Sequence, residues 1–287
     1  MRGISHRNPM NILYITDLHG ATWKYDRLLD TARQHAVQVV INGGDILPKT
    51  GDLFSQDKFI TGSLESHFSA FNKAGIAYLC YLGNDDLAVF DPLFEHTCGK
   101  YPRVSNLAQT HITMGAYEFI GMNWVVDTPF RLKDRCRMDT PDYVFQDQYG
   151  TGLLSTPEGW KEIIDWQDYA RSLPTIQDEM ERLALPNDPG HTVYVIHMPP
   201  SDLGLDQCGN GDQVGSKAIY NFLQRLQPRL ALHGHIHESP ETSGKWRANL
   251  GKTVCIQPGQ LSLFTYVIID LDTMQMERYT DHYFSES

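Results

Sequence analysis

Short apolar runs, each closed by a polar loop, recur along the chain and set its predicted elements. In the first third they alternate with stretches of helical period. Asn11–Thr16 reads as a strand, Trp23–His35 as a helix, Val37–Ile41 as a strand, Asp57–Lys73 as a helix and Ile76–Leu82 as a strand. This alternation predicts a largely parallel sheet with helices packed on it. His111–Met114 and Tyr117–Met122, split by Gly115-Ala116, predict a hairpin. The stretch from about 123 to 190 is the least patterned, and two helices are expected in it, Glu158–Arg171 and Thr175–Leu185. A connection this long inside a compact domain is usually a functional elaboration or a lid. Strand Thr192–Ile196, helix Gly215–Leu226 and strand Leu230–Leu232 follow. Leu261–Leu271 and Met274–Tyr279 then predict an antiparallel pair turning at Asp272-Thr273.

The loops that close these runs carry the chemistry. Asp17-Leu18-His19, Gly43-Gly44-Asp45, Gly83-Asn84-Asp85, His197-Met198-Pro199-Pro200 and Gly234-His235-Ile236-His237 each follow a strand-like run. In open α/β sheets the functional loops leave the carboxyl ends of strands. The fold could therefore bring Asp17, His19, Asp45, Asn84, His197, His235 and His237 together, a set large enough for two cations. Each cluster alone is also readable as an ordinary turn or a core histidine. The run His233-Gly234-His235-Ile236-His237 is harder to dismiss. Its imidazoles would repel one another if protonated and cost desolvation if buried unpaired, and a metal removes both penalties. His233 is the odd one out, because strand parity points it into the sheet, in a structural or supporting role.

The series Asp-x-His, Gly-Asp, Gly-Asn-x-Asp, His-x-Pro-Pro and Gly-His-x-His, in this order, resembles the calcineurin-like metallophosphoesterases. Val214-Gly215-Ser216 and Gly234–Ser239 are similar to the small prokaryotic branch of that superfamily. The resemblance spans Asn11 to about Gly259, with 123–190 as its divergent part. It implies an α/β fold, a four-layer αββα sandwich of two mixed β-sheets flanked by helices, with an inserted segment. It also implies two divalent metal ions. Asp17, His19 and His237 would hold the first, with Asp45 bridging to the second, and Asn84, His197 and His235 would complete the second. Imidazole with carboxylate suits Mn, Fe or Zn better than Mg or Ca. Two such cations clamp a phosphoryl group and lower the pKa of a bridging water, so the attacking group would be a metal-bridging hydroxide. Asp45, Asn84, Asp85 and His235 are the expected catalytic positions.

One position departs from the family pattern. Where a histidine is expected after Gly-Asn, this chain has Asp85. That histidine would touch the phosphate and protonate the leaving group, whereas an aspartate beside two cations should be ionised and proton-poor. Three readings stay open. Asp85 turns away, or the leaving group needs little help, or Asp85 accepts a hydrogen bond from a sugar hydroxyl. Gln257-Pro258-Gly259, where the family often has Asn-Pro-Gly, reads as structural.

The insertion would decide the substrate. Arg131, Lys133, Arg135 and Arg137 alternate there, followed by Tyr143 and Tyr149. Asn84, Arg131 and Arg135 are candidate substrate contacts, arginine for phosphate and tyrosine for stacking. The alternative is a solvated basic loop pairing with the acidic surface. Trp160 and Trp166, in a helical stretch, read as core.

Composition narrows the partners. The 287 residues suit one domain, read as 10–287 with the insertion at about 123–190. Met10 directly before the first strand makes residues 1–9 an N-terminal extension. A formal charge of −11 argues against extended nucleic-acid binding, and part of that excess is the carboxylate of the expected site. No run approaches the ~20 apolar residues that span a bilayer, and no apolar signal segment follows the basic start, so no membrane partner and a cytoplasmic location are expected. Five cysteines without CxxC spacing read as reduced thiols. The expected function is hydrolysis of a small phosphoester, a phosphodiester or nucleotide-like molecule. The alternatives are a phosphomonoesterase, or a non-catalytic scaffold on the same fold. The oligomeric state is left open.

Overall fold

The computed structural model describes residues 10–281, so the expected extension at 1–9 lies outside the described residues. The first half of the chain gives β1 (Asn11–Ile15), α1 (Thr22–Gln34), β2 (Val39–Asn42), α2 (Gln56–Phe59), α3 (Glu65–Ala74) and β3 (Ala77–Cys80). Then come α4 (Asp91–Gly99), β4 (Val104–Asn106), β5 (His111–Met114), β6 (Tyr117–Met122), β7 (Val125–Val126) and β8 (Cys136–Arg137). The second half gives β9 (Gly152–Thr156), β10 (Gly159–Ile163), α5 (Trp166–Arg171), α6 (Ile176–Arg182), β11 (Thr192–Ile196), α7 (Lys217–Leu226) and β12 (Leu230–Leu232). The chain closes with α8 (Ser239–Ser243), β13 (Arg247–Leu250), β14 (Thr253–Ile256), β15 (Phe264–Asp270) and β16 (Met276–Asp281).

Two six-stranded sheets result, ordered β16-β15-β1-β2-β3-β4 and β13-β14-β12-β11-β6-β5. In the first, β1 to β4 are parallel, and β15 runs antiparallel to both of its neighbours, β1 and β16. In the second, β14, β12, β11 and β6 are parallel and the two edge strands antiparallel. Both sheets are therefore mixed.

The strand period of two sorts the side chains into layers. Ile12, Tyr14, Val39, Ile41 and Leu79 of the first sheet pack with Phe119, Val193, Val195, Leu230 and Leu232 of the second in one core between the sheets. Their alternates Leu13, Ile15, Val40 and Tyr78 pack outward with Leu28 of α1, Phe68 and Phe71 of α3 and Phe94 of α4. Ile120, Tyr194, Ile196 and Ala231 pack outward with Trp166 of α5, Met180 of α6 and Ile219 and Phe222 of α7. Apolar residues on both faces of the central strands thus build the expected four layers.

Several local expectations shift. The helix expected over Asp57–Lys73 is α2 and α3 joined through a π-helical turn at Ile60–Leu64, where Gly62 lies. Glu158–Arg171 is not one helix. The Thr156-Pro157-Glu158-Gly159 turn, with Gly159 at φ 112°, folds β9 onto β10, and α5 begins only after its Asp165 cap. Trp160, expected in the core, is 41% exposed on β10 and meets Phe54 edge to face, while Trp166 is buried as expected. Thr175 caps α6 in a capping box with Asp178. The short strands β4, β13 and β14 had no sequence reading. Residues 123–190 supply much of the outer layer on the second sheet through Val125, Met138, Ile163 and Met180.

The basic stretch is not a solvated loop. Lys133 is buried and donates to Asp127 at 2.7 Å, which also accepts from Trp166 and Gln148. Arg137 lies over the Trp124 ring at 3.8 Å. Only Arg131 stays exposed, 3.7 Å from Glu162. The five cysteines carry no disulfide. Among the described residues no helix is long and apolar enough to cross a membrane.

His67 of α3 gives a pH-dependent stability. It is packed among Tyr25, Phe71 and Tyr78, its Nε2 has no hydrogen-bond partner, and burial pushes it down to about 3. The unfolded chain binds this proton from about pH 6.5 downward and the fold does not, so stability is lost as pH falls below that value. His67→Phe keeps the aromatic shape. It should flatten the loss of stability between about pH 6 and 4 by up to one proton, read from urea midpoints across pH, and an unchanged slope would place the acid sensitivity elsewhere.

Candidate metal centre

The carboxyl ends of β1, β2, β3, β11 and β12 meet at one edge of the sandwich, and their loops deliver all seven expected ligand side chains. His19 Nε2 lies 2.9 Å from His237 Nε2, and His237 Nε2 lies 3.4 Å from Asp17 Oδ1. Asn84 Oδ1 lies 3.0 Å from His197 Nε2 and 2.6 Å from His235 Nδ1. Asp45 Oδ2 stands between these two groups, 3.4 Å from His197 Nε2 and 4.0 Å from His19 Nε2. Asp17, His19, Asp45 and His237 present ligand atoms all within 4.8 Å of one another, a group able to hold a metal ion.

The backbone is bent to achieve this. Asp17, His19, Asp45 and His235 have φ of 56°, 46°, 52° and 70°. They are four of the nine non-glycine residues with positive φ in the described chain, and such strain collects at functional sites. Two glycines are required by contact. A Cβ on Gly83 would collide with Asp45 Oδ1, and Gly44, at φ 105°, would place one 2.7 Å from His197 Nδ1.

A surrounding set of hydrogen bonds aims the ligand atoms. His197 Nδ1 is 2.7 Å from the Gly43 carbonyl, leaving Nε2 toward the centre. The Asp85 amide donates to Asp45 Oδ1 at 2.9 Å, so Oδ2 faces inward, and the His235 amide donates to Asp17. Asp86 accepts from the amides of Gly83, Ile46 and Leu47 and so ties the second and third loops together. Tyr14 Oη donates to the His233 carbonyl at 2.8 Å across the two sheets. His233 itself is buried, with Nδ1 2.9 Å from the Ile196 carbonyl, in the supporting position its parity predicted. The Gln257 amide donates to the Gly234 carbonyl, a structural contact.

Burial lowers His19 to about 4 and His235 to about 3, keeping both imidazoles neutral, the form that binds metal. Burial would also lower His197, but Asp45 and Asp17 outweigh it and push it up to about 9. Burial likewise opposes ionisation of Asp17, and His237 outweighs it, bringing the carboxyl down to about 2. Buried carboxylates and imidazoles stabilise one another's charge here, as a cation in the same place would. The donors of Asp17, His19, Asp45 and His237 fit such an ion.

Asp85 does not turn away. It lines a cavity of about 420 Å³ over the centre together with Asp45, Asn84, His235 and His237. Burial and the charge of Asp45 push its carboxyl up to about 7, opposed by Lys49. The expectation of a depressed Asp85 rested on the charge of two cations, and among the protein groups alone the direction is upward. Lys49 was missed in the sequence. Its ammonium is 3.9 Å from Asp85 Oδ2, and among the described residues it is the one lysine or arginine lining this cavity. No spacing marked it, since only the fold carries it over the site. Arg135 is a correction. Its guanidinium is 2% exposed, with Nε donating to the Gly83 carbonyl at 2.8 Å and the other nitrogens to Asp91, so it is buried against the chain and does not line the cavity. Arg131 does not line the cavity either.

The calcineurin-like phosphoesterase family model matches residues 10–239. The chain belongs to the calcineurin-like phosphoesterase family. It is a hydrolase acting on phosphoesters. Among solved structures, one is 14% identical over 95% of this chain and 99% of its own, with a TM-score of 0.62. TT1561 of Thermus thermophilus is 15% identical over 95% of this chain and 99% of its own, with a TM-score of 0.57. A dimetal phosphatase from Danio rerio is 10% identical over 96% of this chain and 100% of its own, with a TM-score of 0.48. Likeness at these identities is a likeness of fold. No curated protein matches the chain.

Arg135 is thus predicted to act through the Gly83 loop. Arg135→Met should lower stability by about 2 kcal/mol, the cost of a buried acceptor left unpaired, and Arg135→Lys should recover little, since it cannot reproduce the fork. Chemical denaturation reads both. A higher KM at unchanged stability would instead make Arg135 a substrate contact.

Proposed function

We propose that this phosphoesterase is dinuclear and hydrolyses a phosphodiester or nucleotide-like small molecule. The observation that carries the reading is the pairing of two ligand groups about Asp45. Asp17, His19 and His237 would hold one cation, Asn84, His197 and His235 the other, and Asp45 both. Manganese, iron or zinc suits these donors. When bound, such a pair supplies an acidified water as nucleophile and neutralises the charge that builds on the phosphoryl oxygens.

The protein's own groups do the rest. Asn84, fixed by the Gly83 loop, sets the geometry at the second position and faces the substrate oxygens. Lys49, held by Asp85, puts a cation at the mouth of the site, where the family pattern has a histidine after Gly-Asn. An ammonium there offsets phosphate charge and steadies the departing oxygen. Asp85 then serves as its anchor and not as a proton donor to the leaving group. The buried Tyr14–His233 tie keeps the loops of the two sheets from separating when charge changes between them.

The test is hydrolysis of aryl phosphate mono- and diesters side by side, with Mn²⁺ supplied and then chelated. Metal-dependent turnover with the diester preferred is expected, and a monoester preference would make the chain a phosphomonoesterase. Asp45→Asn should lose both cations by elemental analysis and all measurable turnover, whereas near-normal turnover would sink the ligand assignment. Lys49→Met should lower kcat/KM about a hundredfold while Asp85→His restores part of it in that background. Full activity of Lys49→Met would reduce the lysine to a surface ion pair.

A further inference from the structure

The cleft over the metal centre continues into a second cavity of about 390 Å³, which shares Phe130, Cys208, His235, Ile236 and Glu238 with the first. The two halves differ in charge. The half over Asp45 and Asn84 has Lys49, whereas among the described residues no lysine or arginine lines the other. Its charged side chains are Asp127, Asp212 and Glu238. Asp127 is neutralised by Lys133. Asp212 and Glu238 accept from neutral donors, the Asn210 amide at 2.7 Å and the Gly209 backbone amide at 3.0 Å. A second phosphate in that half would meet two carboxylates with no opposing cation, which is repulsive.

That half offers aromatic surface instead. Phe130 is 61% exposed and Tyr149 71% exposed, their rings edge to face at 5.7 Å. Rings of this size left in water forfeit the stabilisation that burial would give them. Their exposure is not the slack of a loose loop. The Tyr149 amide donates to the Pro129 carbonyl at 2.8 Å and the Leu153 amide to the Arg131 carbonyl at 2.7 Å. The Arg131 side chain closes the same turn on the Thr151 carbonyl at 3.1 Å. A pinned, exposed aromatic pair with apolar Ile236 and Met198 beside it, next to a polar centre, has the make-up of a recognition surface.

We propose that this half-cleft is a subsite for the non-reacting group of the substrate, and that this group is an uncharged flat ring. The substrate is then an ester with a single phosphate, not a polyphosphate chain. Stacking on Phe130 and Tyr149 supplies the affinity, while Asp212 and Glu238 repel a second anion and accept from ring amino groups. The inference rests on the metallophosphoesterase reading for the phosphate end alone.

Binding tests it separately from turnover. Calorimetry on Mn²⁺-loaded protein compares phenylphosphonate, methylphosphonate and 4-carboxyphenylphosphonate. Phenylphosphonate should bind about tenfold more tightly than methylphosphonate, and the added carboxylate should cancel that gain. In Phe130→Ala/Tyr149→Ala the phenyl preference should vanish while methylphosphonate binds as before, which also shows that the variant is folded and metal-loaded. Glu238→Gln should restore part of the carboxyphenyl affinity. Equal affinity for phenyl and methyl probes in the parent protein, or a preference that survives the double substitution, would overturn the subsite. A phenyl preference without any ester hydrolysis would leave the subsite standing and remove the catalytic reading instead.

Discussion

Two carboxylates sealed between the sheets govern the structure. Asp17 and Asp45 are each 1% exposed, and a carboxylate that far from water is tolerated only with charge and hydrogen bonds arranged around it. The fold answers with four imidazoles, backbone amides and an amide oxygen aimed at one place. Everything near that edge serves the arrangement. The loops take left-handed backbone at Asp17, His19, Asp45 and His235 because ordinary strand geometry would point these side chains apart. Gly44 and Gly83 have no Cβ because another loop occupies the space.

The two sheets therefore depend on each other chemically as well as through their shared core. Each contributes part of the ligand set, and neither has a sensible electrostatic balance alone. Asp17 from β1 lies against the His235 amide and the His237 ring after β12. Asp45 after β2 lies against His197 after β11. The inter-sheet core brings them to this distance, and the Tyr14 hydroxyl on the His233 carbonyl sets the register at the mouth. The insertion does a different job. Its Lys133–Asp127 pair and Arg135 brace the wall of the cleft, which leaves Phe130 and Tyr149 held in place at the rim.

Most of the candidate site was legible, because ligand chemistry demands particular residue types at the ends of strands, and those types stand out against apolar runs. The core strands were legible for the same reason, since apolar residues on both faces leave few alternatives. The insertion was not. Trp160 and Trp166 look alike in a helical reading, yet a proline and a glycine at the turn put one on a hairpin and the other in the core. The short strands β4, β13 and β14 have too few residues for a period to register.

The sequence alone determined which donor types stand at the strand ends, Asp17, His19, Asp45, Asn84, His197, His235 and His237, because coordination depends on donor type. Their division between two cations came from the family resemblance and not from spacing. Tertiary structure alone decided what a charged side chain does once its neighbours are fixed. Arg135 and Lys49 carry the same charge, and nothing local separates them. Packing buries one against Gly83 and Asp91 and leaves the other over the cavity. A charge acts through the distance and dielectric between it and its partners, and those are set by the folded chain.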